Sequence, residues 1–302
     1  MNYDLEKFKN VTVALNTPFD KDGNVDIEAT KKVCNYFYDK GIRSLYVCGS
    51  TGEGLLLSQE ERKQVVEAVT QAVGGKMTII VHVGTPSTKL SCELAQHAEK
   101  CGADATSAVP NIYYRLSEES IYEHWTGITN SSNLPFFIYN IPQLTGYNLS
   151  MNMLDRMLAN PKVIGIKNSS EASHDILRFK ERGGKDFIVF NGPDEQFLAG
   201  HMMGADAGIG GTYGAMPELF LKLFELIKEK EFDKAIELQN VITQFVYRLC
   251  SFPSLYGACK AIIALDGCPI GEPRLPFLPV STNDPKIISL YNDIREAVKK
   301  FK

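Results

Sequence analysis

Apolar residues follow two alternating rhythms along this chain. Short runs rich in β-branched and aromatic residues occupy 11–19, 44–50, 77–83, 105–110, 135–142, 163–169, 187–192 and 207–213. Between them, residues 27–40, 58–73, 88–101, 118–130, 150–159, 173–182, 194–203 and 217–230 repeat apolar side chains at spacings of three and four. An unbroken apolar run reads as a strand buried on both faces, and the three-and-four spacing as an amphipathic helix. Ser58, with Glu61 three residues on, reads as a capping box, and Ser150 before Met151 as a plainer helix start. Eight strand–helix units in strict alternation predict an α/β fold, a closed (β/α)8 TIM barrel over residues 1–230. The competing arrangement is an open doubly wound sheet. It is disfavoured because no glycine-rich dinucleotide fingerprint follows the first strand, and eight units is the number that closes.

Residues 231–302 differ in kind. Segments 232–250, 256–265 and 285–301 have helical spacing, and the stretch 267–279 between the last two is rich in proline and glycine. They predict a small C-terminal helical extension packed on the barrel, with no Ser/Gly linker to let it move independently.

Composition narrows the function. A net charge of −4, without a basic tract, argues against nucleic acid or an anionic membrane as partner. The seven cysteines are scattered with no C-x-x-C pair, as expected of thiols in a reducing compartment rather than a disulfide frame or zinc site. Residues 1–10 mix charges with no apolar core, so no secretory signal is expected, and no apolar run is long enough to span a membrane. A cytoplasmic location is the default. The histidines, at 82, 97, 124, 174 and 201, show no H-x-x-x-H or H-x-x-E spacing, so neither a metal nor another cofactor is expected.

In a barrel, chemistry collects where the strands end. The sixth run, Val163-Ile164-Gly165-Ile166-Lys167, ends in a lysine. Burial strips an amine of water and favours its neutral form, a nucleophile toward a carbonyl carbon. A lysine ending a strand also commonly snorkels to solvent. The second run leads into Gly49-Ser50-Thr51-Gly52-Glu53-Gly54. Its backbone amides and hydroxyls suit a carboxylate or phosphate, although a tight turn needs glycines for steric reasons alone. The fifth run ends in Tyr139-Asn140-Ile141-Pro142, where a phenol could reach Lys167 as proton carrier or simply be a satisfied core tyrosine. The seventh ends in Asn191-Gly192-Pro193-Asp194-Glu195, whose carboxylates either complement a helix dipole or accept hydrogen bonds from a polyol. What favours the chemical reading is that all four features fall on one rim.

Gly49-Ser50-Thr51-Gly52-Glu53, Tyr139-Asn140-Ile141-Pro142, Gly165-Ile166-Lys167, Gly192-x-Asp194-Glu195 and Gly208-Ile209-Gly210 together resemble the N-acetylneuraminate lyase family. That family sits within the pyruvate-dependent class I aldolases, which include dihydrodipicolinate synthase. The resemblance runs the full length of the chain and takes in the helical tail. It implies a carbon–carbon lyase that cleaves sialic acid reversibly to N-acetylmannosamine and pyruvate, working as a homotetramer. It further implies that Lys167 forms a Schiff base, that Tyr139 carries the proton, and that Ser50 and Thr51 bind the keto-acid carboxylate. Ser169 would assist, while Gly192, Asp194, Glu195 and Gly210 would line the sugar end. Tyr113 resembles the tyrosine lent to a neighbouring subunit, with Tyr114 beside it as the alternative. The synthases carry an arginine two residues after Tyr-Asn-x-Pro to hold a second carboxylate; Leu144 stands there in this chain. Lyases carry serine after Gly-Ile-Gly, and this chain has Gly211, which removes a hydroxyl from the glycerol end. The alternative is another pyruvate-dependent aldolase or synthase, such as dihydrodipicolinate synthase or a 2-keto-3-deoxy sugar acid aldolase.

Overall fold

The computed structural model describes residues 3–110 and 112–302. Eight parallel strands pair in sequence order and close on themselves: β1 (Val11–Ala14), β2 (Ser44–Val47), β3 (Thr78–His82), β4 (Ala105–Ala108), β5 (Phe136–Asn140), β6 (Val163–Asn168), β7 (Ile188–Asn191) and β8 (Ala207–Gly210). The helices are α1 (Ile27–Asp39), α2 (Gln59–Val73), α3 (Thr88–Lys100), α4 (Glu118–Asn130), α5 (Pro142–Thr145), α6 (Met151–Leu158), α7 (His174–Gly183), α8 (Phe197–Met202) and α9 (Pro217–Lys228). Three more follow: α10 (Phe232–Cys250), α11 (Leu255–Leu265) and α12 (Pro285–Phe301). The predicted (β/α)8 barrel is the fold.

Alternation along each strand sorts its side chains into two cores. Ala14, Tyr46, Ile80, Phe137, Tyr139, Ile188, Phe190 and Ile209 fill the barrel interior. Phe8, on a short 3₁₀ turn (Glu6–Phe8), closes the amino end by packing edge-on against Phe137. Val13, Leu45, Val47, Ile79, Ile138, Ile166 and Val189 point outward to the helices. That outer core runs without a break into Leu238, Ile242, Ile262, Ile263, Leu290 and Ile294 of the C-terminal helices. Charges brace the same junction: Lys40 and Arg295 each bridge Glu218 and Asp266.

Local signals act as expected at several helix starts. The Ser58 hydroxyl accepts the Glu61 amide while the Glu61 carboxylate accepts the Ser58 amide, and Ser150 caps α6 through Met153. Every strand ends one to five residues before its predicted run, and three of these ends have a visible local cause. After Ala14 the side chains of Asn16 and Thr17 turn to the carbonyls of Thr51 and Gly52, so the chain leaves the ladder. Pro142 opens the one-turn α5, a position where its missing N–H is harmless. Tyr213 belongs to a 3₁₀ turn (Tyr213–Ala215). The predicted helix at 194–203 begins as a 3₁₀ turn (Asp194–Gln196) before α8. Among the described residues, no helix is long and apolar enough to cross a membrane.

Candidate active site

β5 and β6 pair so that Tyr139 lies opposite Lys167 and Asn140 opposite Asn168. Paired residues of parallel strands point the same way, so phenol and amine share the barrel interior while the asparagines face outward. Lys167 is 6% exposed; its Nζ lies 4.2 Å from the centroid of the Tyr139 ring and 4.5 Å from that of Tyr46 on β2. Ring faces stand where water would otherwise be. Lys167 does not snorkel away.

The surroundings hold these groups in place. The Tyr46 hydroxyl donates to Ser107 Oγ at 3.0 Å. His82 stands edge-on to Tyr139, with 5.9 Å between ring centroids. Burial first, then the charges of Arg62 and Lys167, hold its imidazole well below the usual range, so it sits neutral. Its Nε2 accepts the Val109 amide at 3.4 Å, and Arg62 donates to the carbonyls of His82 and Gly84. On the outer face Asn140 Nδ2 donates to Asn168 Oδ1 at 2.8 Å, Asn168 to Ser170 Oγ, and Ser170 to Asp175. This relay locks the ends of β5 and β6, and with them the Tyr139–Lys167 pairing.

The turn after β2 is bracketed by two non-glycine residues in the left-handed region, Cys48 at φ +59° and Glu53 at φ +54°. A Cβ on Gly54 would lie 2.0 Å from the Cys48 carbonyl oxygen, so tight folding does require that glycine. The anion reading survives alongside the steric one. Among the described residues the amides of Ser50 and Thr51 donate to nothing, whereas Glu53 and Gly54 close the turn onto Ser50 and Gly49.

Across the rim, Asp194 is buried and its Oδ2 accepts both the amide and the hydroxyl of Thr212, each at 2.6 Å. Burial raises its carboxyl to about 6 although the Thr212 bonds pull the other way. The oxygen expected to meet a polyol is thus already engaged with the loop after β8, and Oδ1 lies 2.3 Å from where a Cβ on Gly210 would sit. Glu195 beside it is half-buried and borders a groove between α8 and α10 with Leu198, Met202 and Phe232. Ser169 and Gly192 touch, since a Cβ on Gly192 would fall 2.1 Å from Ser169 Oγ. Gly211 abuts the carboxylate turn, with Thr51 Oγ1 3.0 Å from its ideal Cβ position. Tyr113 is 90% exposed at φ +71°, its ring edge-on to Tyr114, and so is no part of its own chain's buried cup.

Sequence reasoning missed Tyr46, His82, Thr212 and a second buried lysine, Lys260 on α11. Burial lowers the Lys260 ammonium to about 8, yet its Nζ lies 2.9 Å from Glu53 Oε1 and donates to the Glu272 carbonyl. That pairing, and 2% exposure, leave it no approach for a ketone. One set of metal-capable groups exists among the described residues: Glu67, His97 and Cys101, with ligand atoms within 4.8 Å of one another. It lies on α2 and α3 toward the amino ends of the strands, away from Lys167.

A closed parallel barrel with a buried amine and a phenol on adjacent strand ends is a (β/α)8-barrel enzyme. More particularly, the chain belongs to the dihydrodipicolinate synthetase family, whose pattern matches residues 7–290. It is 43% identical over 301 residues to an N-acetylneuraminate lyase of Mediterraneibacter gnavus, spanning 98% of this chain and 96% of that protein. It is similar in structure to the wild-type sialic acid aldolase of Ruminococcus gnavus, with TM-score 0.96, 42% identity, and coverage of 98% and 100%. A dihydrodipicolinate synthase of Bacillus anthracis is more distant, with TM-score 0.88 and 26% identity over 95% and 97% of the two chains.

Proposed function

We propose that this protein is a class I aldolase cleaving N-acetylneuraminate reversibly to N-acetyl-D-mannosamine and pyruvate. The observation that carries the reading is the Lys167 amine held inside the barrel between the Tyr139 and Tyr46 rings. The amine adds to the ketone carbon of the open-chain sugar acid, and loss of water leaves a protonated imine. Tyr139 takes the proton of the hydroxyl beside the scissile bond as its own phenolic proton passes to water. That carbon–carbon bond breaks, its electron pair moves into the imine as an enamine, and the aldehyde sugar departs. The enamine regains a proton on carbon, and water releases pyruvate and the free lysine. Covalent attachment replaces one high barrier with several lower ones. Ser50 and Thr51 hold the keto-acid carboxylate through their free amides, Ser169 assists beside Lys167, and Gly192, Gly210 and Gly211 leave room for the sugar. Asp194 shapes that end through Thr212, and Glu195 supplies charge at its edge. No metal or other cofactor enters these steps.

The relatives' names support the substrate, and Leu144 in place of the synthase arginine supports a partner aldehyde without a second carboxylate. Residues 1–230 form the catalytic barrel and 231–302 its appendage. The assembly is a homotetramer in the cytoplasm, in which the exposed Tyr113, with Tyr114 packed against it, serves a neighbouring subunit. Incubation with pyruvate and N-acetylmannosamine tests the reading: a nine-carbon keto acid should accumulate. Turnover of a different aldehyde with none of this product would reassign the enzyme to another pyruvate-dependent reaction.

A further inference from the structure

Glu53 closes the turn that the proposed function assigns to the substrate carboxylate, and its side chain points to the C-terminal region. Its side chain is 0% exposed and meets Lys260, 2% exposed, at 2.9 Å. Its other oxygen accepts the Arg274 backbone amide at 2.7 Å. Lys260 in turn donates to the Glu272 carbonyl, and its Nζ lies over the Phe19 ring at 4.3 Å. The Arg274 guanidinium covers the same ring at 4.4 Å and donates to the Leu56 and Gly23 carbonyls and to Glu61. A strap from the C-terminal region, formed by α11 and residues 272–274, therefore grips the β2–α2 turn from behind.

The arrangement is expensive in free energy. Each buried ion gives up its hydration, and a glutamate in the left-handed region at φ +54° is strained as well. Apolar side chains of equal volume commonly stabilise a core as well or better. What they cannot do is fix a direction. The Arg274 amide on one carboxylate oxygen and the Lys260 ammonium against the other set the direction of Glu53, and so the aim of the Ser50 and Thr51 amides three and two residues before it.

We propose that the Glu53–Lys260 pair is a positioning device that aims the carboxylate-binding turn, making α11 a contributor to substrate recognition. The proposal rests on the reading of that turn as the carboxylate site. It is tested by borohydride trapping with pyruvate and with methyl pyruvate, which offers the same ketone without the charge. Wild type, Lys260→Met and the double variant Glu53→Gln/Lys260→Met are compared, each with a thermal melt. The double variant leaves no unpaired buried charge, so it keeps the test open if Lys260→Met fails to fold. The wild type should trap pyruvate at much lower concentration than the ester, and in the variants that preference should fall about tenfold, with pyruvate weakened and the ester little changed. A purely structural brace would lower the melting temperature and affect both ketones alike, which would overturn the proposal. A wild type that traps neither compound would overturn the reading of the site and this proposal with it.

Discussion

Replacing Asp194 with asparagine removes a buried charge and keeps its shape. Burial holds this carboxyl at about 6 rather than the ordinary 3.8, in spite of two bonds from Thr212. Above pH 6 that difference corresponds to about 3 kcal/mol of destabilisation. The sign follows from proton binding. Between about pH 4 and pH 6 the folded chain keeps a proton here that the unfolded chain has released, so the stabilisation present at low pH is lost as the pH rises through about 6. Roughly half of the total, about 1.5 kcal/mol, falls between about pH 5 and pH 7.5. Asparagine has no such dependence. Wild type should therefore lose ground to Asp194→Asn over that interval, by about 2 °C in melting temperature for a chain of this size. Circular-dichroism melts of both proteins across the range provide the difference, in which the titrations of all other groups cancel. A difference that stays flat, or one that grows in favour of wild type toward high pH, would refute the reasoning.

Two further substitutions probe the rim. Tyr139→Phe should still be trapped on pyruvate by borohydride but cleave sialic acid about a hundredfold more slowly, since the proton carrier alone is lost. Normal turnover would remove Tyr139 from that role. Gly211→Ser should raise the pyruvate KM about fivefold, equivalent to about 1 kcal/mol, because its Cβ would press on Thr51 Oγ1 from 3.0 Å. Steady-state kinetics showing an unchanged pyruvate KM would mean that the turn accommodates the serine freely.

The barrel was legible because each of its units carries its own period, and the rim motifs because they sit where those periods stop. Register was not legible. Nothing local states that Tyr139 faces Lys167, or that Asn140 and Asn168 clasp each other behind them; those pairings emerge only when the eight strands close. Tyr46 reads as one more aromatic in an apolar strand, and its place beneath the lysine depends on contact across the barrel. Asp194 and Glu195 are neighbours in sequence, yet only Asp194 is fully buried and bonded to Thr212, while Glu195 stays half-buried beside the groove between α8 and α10. Lys260 was invisible for a related reason. Its partner lies more than two hundred residues earlier, in the very turn whose chemistry the sequence had suggested.

The amine of Lys167 is the centre of the account, and its capture is the most direct test. Wild-type protein reduced with borohydride in the presence of pyruvate should gain a single covalent adduct, which peptide mapping places on Lys167, and Lys167→Ala should gain none. An adduct mapped to Lys260, or a wild-type protein that emerges unmodified, would contradict it.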